Sequence, residues 1–181
     1  GKAAKEGVVH SLVTAANGTM FIGGDFELVD ETPRRNLAKL DEEGSLDAGW
    51  QCDISANGTS PRVVYALALG DAELLSHTNL YVGGAFGTVG GFGRNNLARI
   101  NSLSGTPDIH WYPDPNGLVR ALAITGNVLY VGGDFTQLSG RERERLAKLN
   151  AATHAADTQF DPGANGSVRA LALSQESGTL Y

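Results

Sequence analysis

The chain has 181 residues and 41% hydrophobic content, which is enough to bury a sizeable core. Its formal net charge of −6 and its pI near 5.1 argue against nucleic-acid binding, because phosphate neutralisation requires concentrated Lys and Arg. No apolar run approaches the length of a membrane span, so we expect no membrane insertion. The single cysteine, Cys52, excludes an internal disulfide and a cysteine metal cluster.

A strand-like phrase that ends in paired glycines recurs along the chain. Its complete copies occupy residues 20–26, 80–86 and 129–135, and a fourth copy begins at Leu180. A Leu-Ala phrase starts 14 residues after the first glycine of every pair. Further on, each unit has an aspartate with an aromatic residue three positions later: Asp47/Trp50, Asp108/Trp111 and Asp157/Phe160. The resemblance therefore extends over a whole structural unit.

These anchors divide the chain into units of approximately 8–62, 63–117, 118–166 and a truncated 167–181, which we interpret as one repeat domain. The glycine pairs are 60 and then 49 residues apart, and insertions at 57–61 and 71–79 account for the longer spacing. Because only three glycine anchors are complete, the chain alone should not close a ring. We expect that further sequence completes the ring, or that a homo-oligomer shares it.

The composition of the unit predicts an all-β fold. Apolar residues fall in short runs rich in Val, Leu, Tyr and Phe, bounded by Asn-Gly, Gly-Gly or Pro. Four strands of about six residues, with connections of about five, use roughly 45 residues, which is the size of a propeller blade. We therefore predict a β-propeller of four-stranded antiparallel blades of about 50 residues, in a partial ring of about three and a half blades.

Several recurring residues fit stacking roles in such blades. Glycine inside a strand predicts a bulge or a close approach of two backbones. The aspartate is suited to accept hydrogen bonds from its own turn, and the aromatic residue after it should pack between adjacent blades. An arginine precedes each Leu-Ala phrase by three residues, and backbone carbonyls are its better candidate partners, since the second unit has Ala85 where the others have an aspartate after the glycines. We expect Cys52 to be a small packed apolar residue.

Together these motifs resemble the delta-60 repeat, a propeller-forming family of large bacterial secreted and surface proteins with relatives among fungal cortical markers. The matching pattern is Val-x-Ala-Leu-Ala, Gly-Gly-Asp-Phe, Arg-x-x-Leu-Ala-Lys-Leu-Asn, Gly-x-x-Asp and an aromatic followed by Pro, and it covers residues 8–181. The resemblance implies a bacterial, extracellular or cell-surface location. It supplies no shared catalytic set that could be carried over to this chain.

One position of the repeat favours a ligand contact. The second residue of each inner-strand phrase is His10, Tyr65, Arg120 or Arg169, polar or aromatic among small and aliphatic neighbours. Inner-strand ends of a propeller face the central opening, where ligands commonly bind. We call these four the rim residues and hypothesise that they form a polar ligand rim. The alternative is that Arg120 and Arg169 bond carbonyls of the blades.

No catalytic, metal or cofactor site is predicted. The four histidines, His10, His77, His110 and His154, occupy four different repeat positions, and no spacing favours a metal site. The acidic segment 41–47 raises calcium as an alternative to a plain turn, although its acidity is absent from the other units. Three Asn-Gly-Ser/Thr sequences match the glycosylation acceptor pattern, and hairpin turns also explain them.

The function that follows is a non-catalytic binding or structural scaffold with a protein or carbohydrate partner. The alternative is a propeller-type enzyme, a lyase or glycoside hydrolase, whose carboxylates would come from several blades. That alternative requires paired carboxylates about 5 to 10 Å apart at the central opening.

Overall fold

The structure, a computed structural model, describes residues 7–56, 62–70, 79–174 and 179–181. Within these ranges all regular secondary structure is β. The insertion at 57–61, most of that at 71–79, and His77 lie outside the described residues. The strands are, in chain order, β1 (Val8–Thr14), β2 (Met20–Asp25), β3 (Leu28–Val29), β4 (Thr32–Pro33), β5 (Leu37–Leu40), β6 (Ile54–Ser55), β7 (Val63–Leu69), β8 (Asn79–Ala85), β9 (Thr88–Val89), β10 (Phe92–Gly93), β11 (Leu97–Asn101), β12 (Val119–Thr125), β13 (Val128–Gly133), β14 (Gln137–Leu138), β15 (Arg141–Glu142) and β16 (Leu146–Asn150).

Three antiparallel sheets repeat the same topology. Their strand orders are β1-β2-β5, β7-β8-β11 and β12-β13-β16, so each unit contributes one sheet whose middle strand carries the glycine pair. The first strands of consecutive units are neighbours, β1 against β7 and β7 against β12. Short hairpins, β3-β4, β9-β10 and β14-β15, follow each middle strand. The predicted all-β partial propeller is confirmed.

The fourth strand of each unit is much shorter than we expected. In the first unit it consists of one antiparallel bridge between Leu40 and Leu46. Directly afterwards the Oδ1 atom of Asp47 accepts hydrogen bonds from the N–H groups of Gly49 and Trp50, at 3.1 and 3.2 Å. These local bonds turn the chain away from the sheet edge, because they occupy donors that a longer strand would need. The equivalent bridges are Ile100 to Pro107 and Leu149 to Ala156.

The first glycine of each pair receives a valine from the next unit. A Cβ atom built on Gly83 would lie 2.5 Å from Cγ1 of Val119, closer than real carbon atoms approach. Any side chain at this position would push two neighbouring sheets apart. We call this contact the glycine notch, and it recurs between Gly23 and Val64 and between Gly132 and Val168.

The second glycine lies against the inner strand of its own sheet. A Cβ atom on Gly84 would lie 2.0 Å from the carbonyl oxygen of Val63. At this level the pairing of β7 with β8 skips one residue, Tyr65, which is a β-bulge. The same skip leaves His10 unpaired in β1 and Arg120 unpaired in β12. Both roles predicted for the glycines, bulge and close approach, are therefore present.

The aromatic residue after each turn packs against its own middle strand, and Trp111 also reaches the next unit. Trp111 is buried with its ring edge-on to Tyr81 at a centroid distance of 5.3 Å. Its Nε1–H donates to the carbonyl oxygen of Ala151 in the third unit, at 2.9 Å. This position therefore packs between adjacent blades, as predicted. Cys52 is also buried in an apolar cluster, and burial raises the pKa of its thiol to about 12.

The arginine before each Leu-Ala phrase binds backbone carbonyls, as predicted. Its terminal guanidinium nitrogen reaches the turn that follows the outer strand, which closes the unit on itself. The acceptors are carbonyl oxygens of Ala48 for Arg34, Asp108 for Arg94 and Asp157 for Arg143, each at 3.0 Å.

The face of β1 that corresponds to the glycine notch is open in this structure. Val9 is 52% exposed, whereas its counterparts Val64 and Val119 are fully buried. Leu12 on the same strand is also exposed, and Tyr181 is exposed in the fourth unit. The first and the fourth unit therefore each expose apolar side chains in the described part of the chain.

The glycine notch predicts a specific stability loss. Replacing Gly83 with Ala should lower the free energy of unfolding by about 1 to 3 kcal/mol, because the new methyl group overlaps the Val119 side chain. Urea denaturation followed by tryptophan fluorescence would measure the change.

Gly93→Ala is the matched control, since a Cβ atom there meets no atom within 4 Å. This variant should differ from the unchanged protein by less than about 1 kcal/mol. Equal losses in the two variants would contradict the notch.

Candidate functional site

The four rim residues line one open cavity of about 320 Å³. Each of the four units contributes one of them: His10 from β1, Tyr65 from β7, Arg120 from β12 and Arg169 from the start of the fourth unit. The side chains therefore converge although the residues are about fifty positions apart in sequence. The structure brings the whole predicted set together, and its ligand role stays a prediction.

The bulges place these side chains at the cavity. A bulged residue is left out of the ladder and its strand bends locally, which re-aims the side chain. His10, Tyr65 and Arg120 are the bulged residues of their strands, and the second glycine of each unit makes room for this bend. The glycine pair and the rim residue are thus parts of one local structure.

Neighbouring rim residues contact one another around the cavity. The His10 and Tyr65 rings lie 5.4 Å apart between centroids, at an angle of 53°. The guanidinium carbon of Arg120 lies 5.3 Å from the centroid of the Tyr65 ring, within the range of a cation–π interaction. Tyr65 therefore has an imidazole and a guanidinium as its neighbours.

A carboxylate joins the two arginines of the cavity. Asp134, directly after the third glycine pair, accepts a hydrogen bond from Nε of Arg120 at 2.6 Å. Burial acts to raise the pKa of this carboxyl, but hydrogen bonds from Ser167 and Arg120 and the charge of Arg169 hold it below its usual value. Arg120 thus bonds a carboxylate of its own blade, a partner that differs from the carbonyls of our alternative interpretation.

Sequence reasoning missed the role of Asp134. The repeat pattern offers two arginines as partners for this aspartate, and the arginine before the Leu-Ala phrase binds carbonyls instead. A signal existed, because Asp134 and Arg120 stand opposite each other at the same end of a predicted strand pair. The pairing of β12 with β13 was needed to recognise it.

The turn aspartates form a second set of ion pairs on the outer strands. Lys39 donates to Oδ2 of Asp47 at 2.8 Å, and this bond lowers the pKa of the Asp47 carboxyl. The third unit repeats the pair with Lys148 and Asp157 at 2.7 Å, and Arg99 with Asp108 forms it in the second unit. The recurrence of these pairs in every complete unit assigns them to the blade framework.

The acidic segment 41–47 forms a turn. The Oδ1 atom of Asp41 accepts hydrogen bonds from the N–H groups of Glu43 and Ser45, at 3.1 and 2.7 Å. Among the described residues no group of three His, Cys, Asp or Glu side chains is arranged to hold a metal ion. Nor do these residues include a helix of the length and hydropathy that a membrane crossing requires.

His154 occupies a turn position that is glycine in the other units. The φ angle of His154 is 56°, and its counterparts Gly44 and Gly105 also have positive φ angles. The centroid of the His154 ring lies 5.2 Å from that of Tyr112. The Nδ1 atom is buried without a hydrogen-bond partner in the described part of the chain. Burial lowers the pKa of this imidazole, and the charge of Arg99 adds to the effect.

This environment predicts a pH dependence of stability. Because the folded-state pKa of His154 lies below the unfolded value of about 6.5, the unfolded chain binds the proton first. The contribution of neutral His154 to the free energy of unfolding is complete above about pH 6.5 and is lost as the pH falls through the folded-state pKa. Urea midpoints measured from pH 7.5 to pH 5 should decrease more steeply for the unchanged protein than for His154→Gln.

The other histidines are present in both proteins, so their contributions cancel in this comparison. The aspartates with lowered pKa values titrate below the measured range. Parallel curves for the two proteins would contradict the assignment to His154.

Comparison with known families gives one match. The model of the family described as "Domain of unknown function (DUF5122) beta-propeller" matches residues 15–49 and 79–108. Both segments contain a middle strand, its glycine pair and the following Leu-Ala strand. A comparison with curated proteins found no match.

The matched segments and the repeated sheets agree on the architecture. The finer resemblance to the delta-60 repeat remains a prediction, with which the matched family is compatible. The repeats of this chain build the sheets of a partial β-propeller, and two of them match the model of a β-propeller family.

Proposed function

We propose that this chain is a non-catalytic binding scaffold whose ligand site is the cavity lined by the rim residues. The observation that carries the proposal is the convergence of four polar or aromatic side chains, one from each unit, on one cavity. Ligand sites occur in such concave places, where a few polar groups converge on a rigid framework. Here the framework consists of sheets that meet through the glycine notches.

The chemistry of the lining supports binding over catalysis. The cavity residues are two guanidinium groups, an imidazole and a phenol. A glycosidase would need two carboxyl groups flanking the scissile bond, and the lining within the described residues contains none. The neighbouring Asp134 is engaged in an ion pair with Arg120.

The resemblance to bacterial surface propellers supports an extracellular or cell-surface setting for this scaffold. In that setting a protein or carbohydrate partner would meet the cavity from outside, and adhesion or spacing within a larger assembly would be the biological role. The cavity is open and its residues His10 and Arg169 are exposed, which suits a partner that arrives from solvent.

A binding screen with two variants tests the site. Immobilised polysaccharides and extracellular matrix proteins would be probed with the unchanged protein, with Tyr65→Ala and with Tyr112→Ala. Tyr112 is the matched control, because it is exposed but lines a different cavity. We expect at least one bound partner, with signal reduced about tenfold by Tyr65→Ala and unchanged by Tyr112→Ala.

Arg120→Ala separates ligand binding from a purely structural role. A lower melting temperature with unchanged partner binding would assign this arginine to the blade alone. If Tyr65→Ala and Tyr112→Ala bind the partner equally well, the cavity is not the binding site. Release of new reducing ends from a bound polysaccharide would replace the scaffold proposal with the enzyme alternative.

A further inference from the structure

One repeat position next to the rim residues carries a carboxylate in two units and lacks it in another. The residue after the glycine pair is Asp25 in the first unit, Ala85 in the second and Asp134 in the third. This position pairs with the inner strand just before the bulge, as the register of Val63 with Ala85 shows. It therefore lies next to the rim residue of its own unit.

The third unit shows how a carboxylate is held at this position. Asp134 bonds Arg120 of its own unit and also interacts with Ser167 and Arg169 of the next unit. A carboxylate between two consecutive rim residues is thus stabilised by a charge-assisted hydrogen bond and by a second cation. It is held ionised, with its pKa below the usual value.

The second unit has Ala85 at this position, with Tyr65 as its own rim residue and Arg120 as the rim residue of the next unit. The Arg120 guanidinium carbon lies 5.3 Å from the centroid of the Tyr65 ring, and both side chains line the cavity. The bond to Asp134 uses Nε–H, which is one of five N–H donors of a guanidinium. A carboxylate that enters the cavity from solvent would therefore meet the Arg120 guanidinium and the Tyr65 phenol hydroxyl, whereas the third unit supplies a carboxylate of its own to Arg120.

We propose that the cavity binds a carboxylate group of an acidic saccharide, a uronic acid, at the Arg120 guanidinium and the Tyr65 hydroxyl, with Arg169 as the second cation. This inference rests on the proposed function and names its ligand class. The cavity volume of about 320 Å³ lies at the lower end of the range for small-molecule sites, so it accommodates one charged group and its carrier ring.

The contacts of Tyr65 favour charge over stacking as the means of recognition. Its ring already has His10 and Arg120 as neighbours, at 5.4 and 5.3 Å. A neutral sugar that binds by stacking needs an open aromatic face, and the Tyr65 ring already contacts His10 and Arg120. An acidic sugar instead uses the guanidinium groups, and its hydroxyl oxygens accept hydrogen bonds from the remaining donors.

The bulges argue against an acidic peptide as the ligand. An extended peptide would bind by adding a strand to an exposed edge, and β1, β7 and β12 are edge strands of their sheets. At the cavity each of these edges is interrupted by its bulge, at His10, Tyr65 and Arg120. The main-chain ladder that such a peptide needs is therefore broken where the rim residues lie.

Titration calorimetry with three probes tests the ligand class. The probes are trigalacturonate, the neutral cellotriose and a triglutamate peptide, each titrated into the unchanged protein at low and moderate salt. We expect trigalacturonate to bind at least about tenfold more tightly than the other two, and its affinity to fall as salt increases. Tighter binding of triglutamate would overturn the saccharide assignment.

Three variants test where the carboxylate of the bound saccharide lies. Ala85→Asp supplies the missing acid from the chain itself and should weaken trigalacturonate binding at least about fivefold relative to Ala85→Asn, which fills the same volume without the charge. Arg169→Gln should weaken it about tenfold by removing the second cation. Equal affinities of the two Ala85 variants would overturn the proposed position.

Ala85 is 2% exposed, so folding of its variants is verified first by circular dichroism. If neither Ala85 variant folds, Arg169→Gln decides, because that side chain is exposed, and unchanged affinity in this variant overturns the inference. A neutral ligand whose binding requires Tyr65 would also overturn it, while the proposed function would stand. If no substitution of a rim residue changes partner binding, both proposals are wrong.

Discussion

The structure depends on the absence of a side chain at one glycine in each of the three complete units. Gly23, Gly83 and Gly132 each accept a valine of the following unit at a distance that leaves no room for a methyl group. Protein cores are packed as densely as organic crystals, so such a contact sets the distance between the two sheets. The stacking of one unit on the next is therefore defined by a pair of residues, one glycine and one valine.

The neighbouring glycine connects this packing to the candidate site. Its close approach to the inner strand accompanies a bulge, and the bulged residue is the one that reaches the cavity. A change at Gly84 would consequently alter both the sheet and the direction of Tyr65. Stability and the geometry of the cavity are therefore coupled through two adjacent positions.

Single residues that differ between units give the junctions between units different hydrogen bonds and different charges. The carbonyl oxygen of Ala151 accepts hydrogen bonds from Tyr81, Trp111 and Arg99, at 3.1, 2.9 and 2.9 Å, whereas the equivalent Trp50 has no partner for its indole nitrogen within the described residues. Ala85 is a similar departure at the cavity. The repeat thus provides equivalent positions, and individual substitutions give each junction its own polarity.

The sequence by itself determined the three long strands of each unit, the unit length, the turn aspartates and the carbonyl-binding arginines, because these follow from local spacing and from the conformational freedom of glycine. It also marked the rim residues, since one register position of the repeat is polar among apolar neighbours. Only the tertiary structure decided that the outermost strand shrinks to a single bridge, that Asp134 joins Arg120 to the next unit, and that Tyr65 lies between an imidazole and a guanidinium. Those features depend on which side chains of neighbouring units meet, and this is set by sheet packing across about fifty residues of chain rather than by any local pattern.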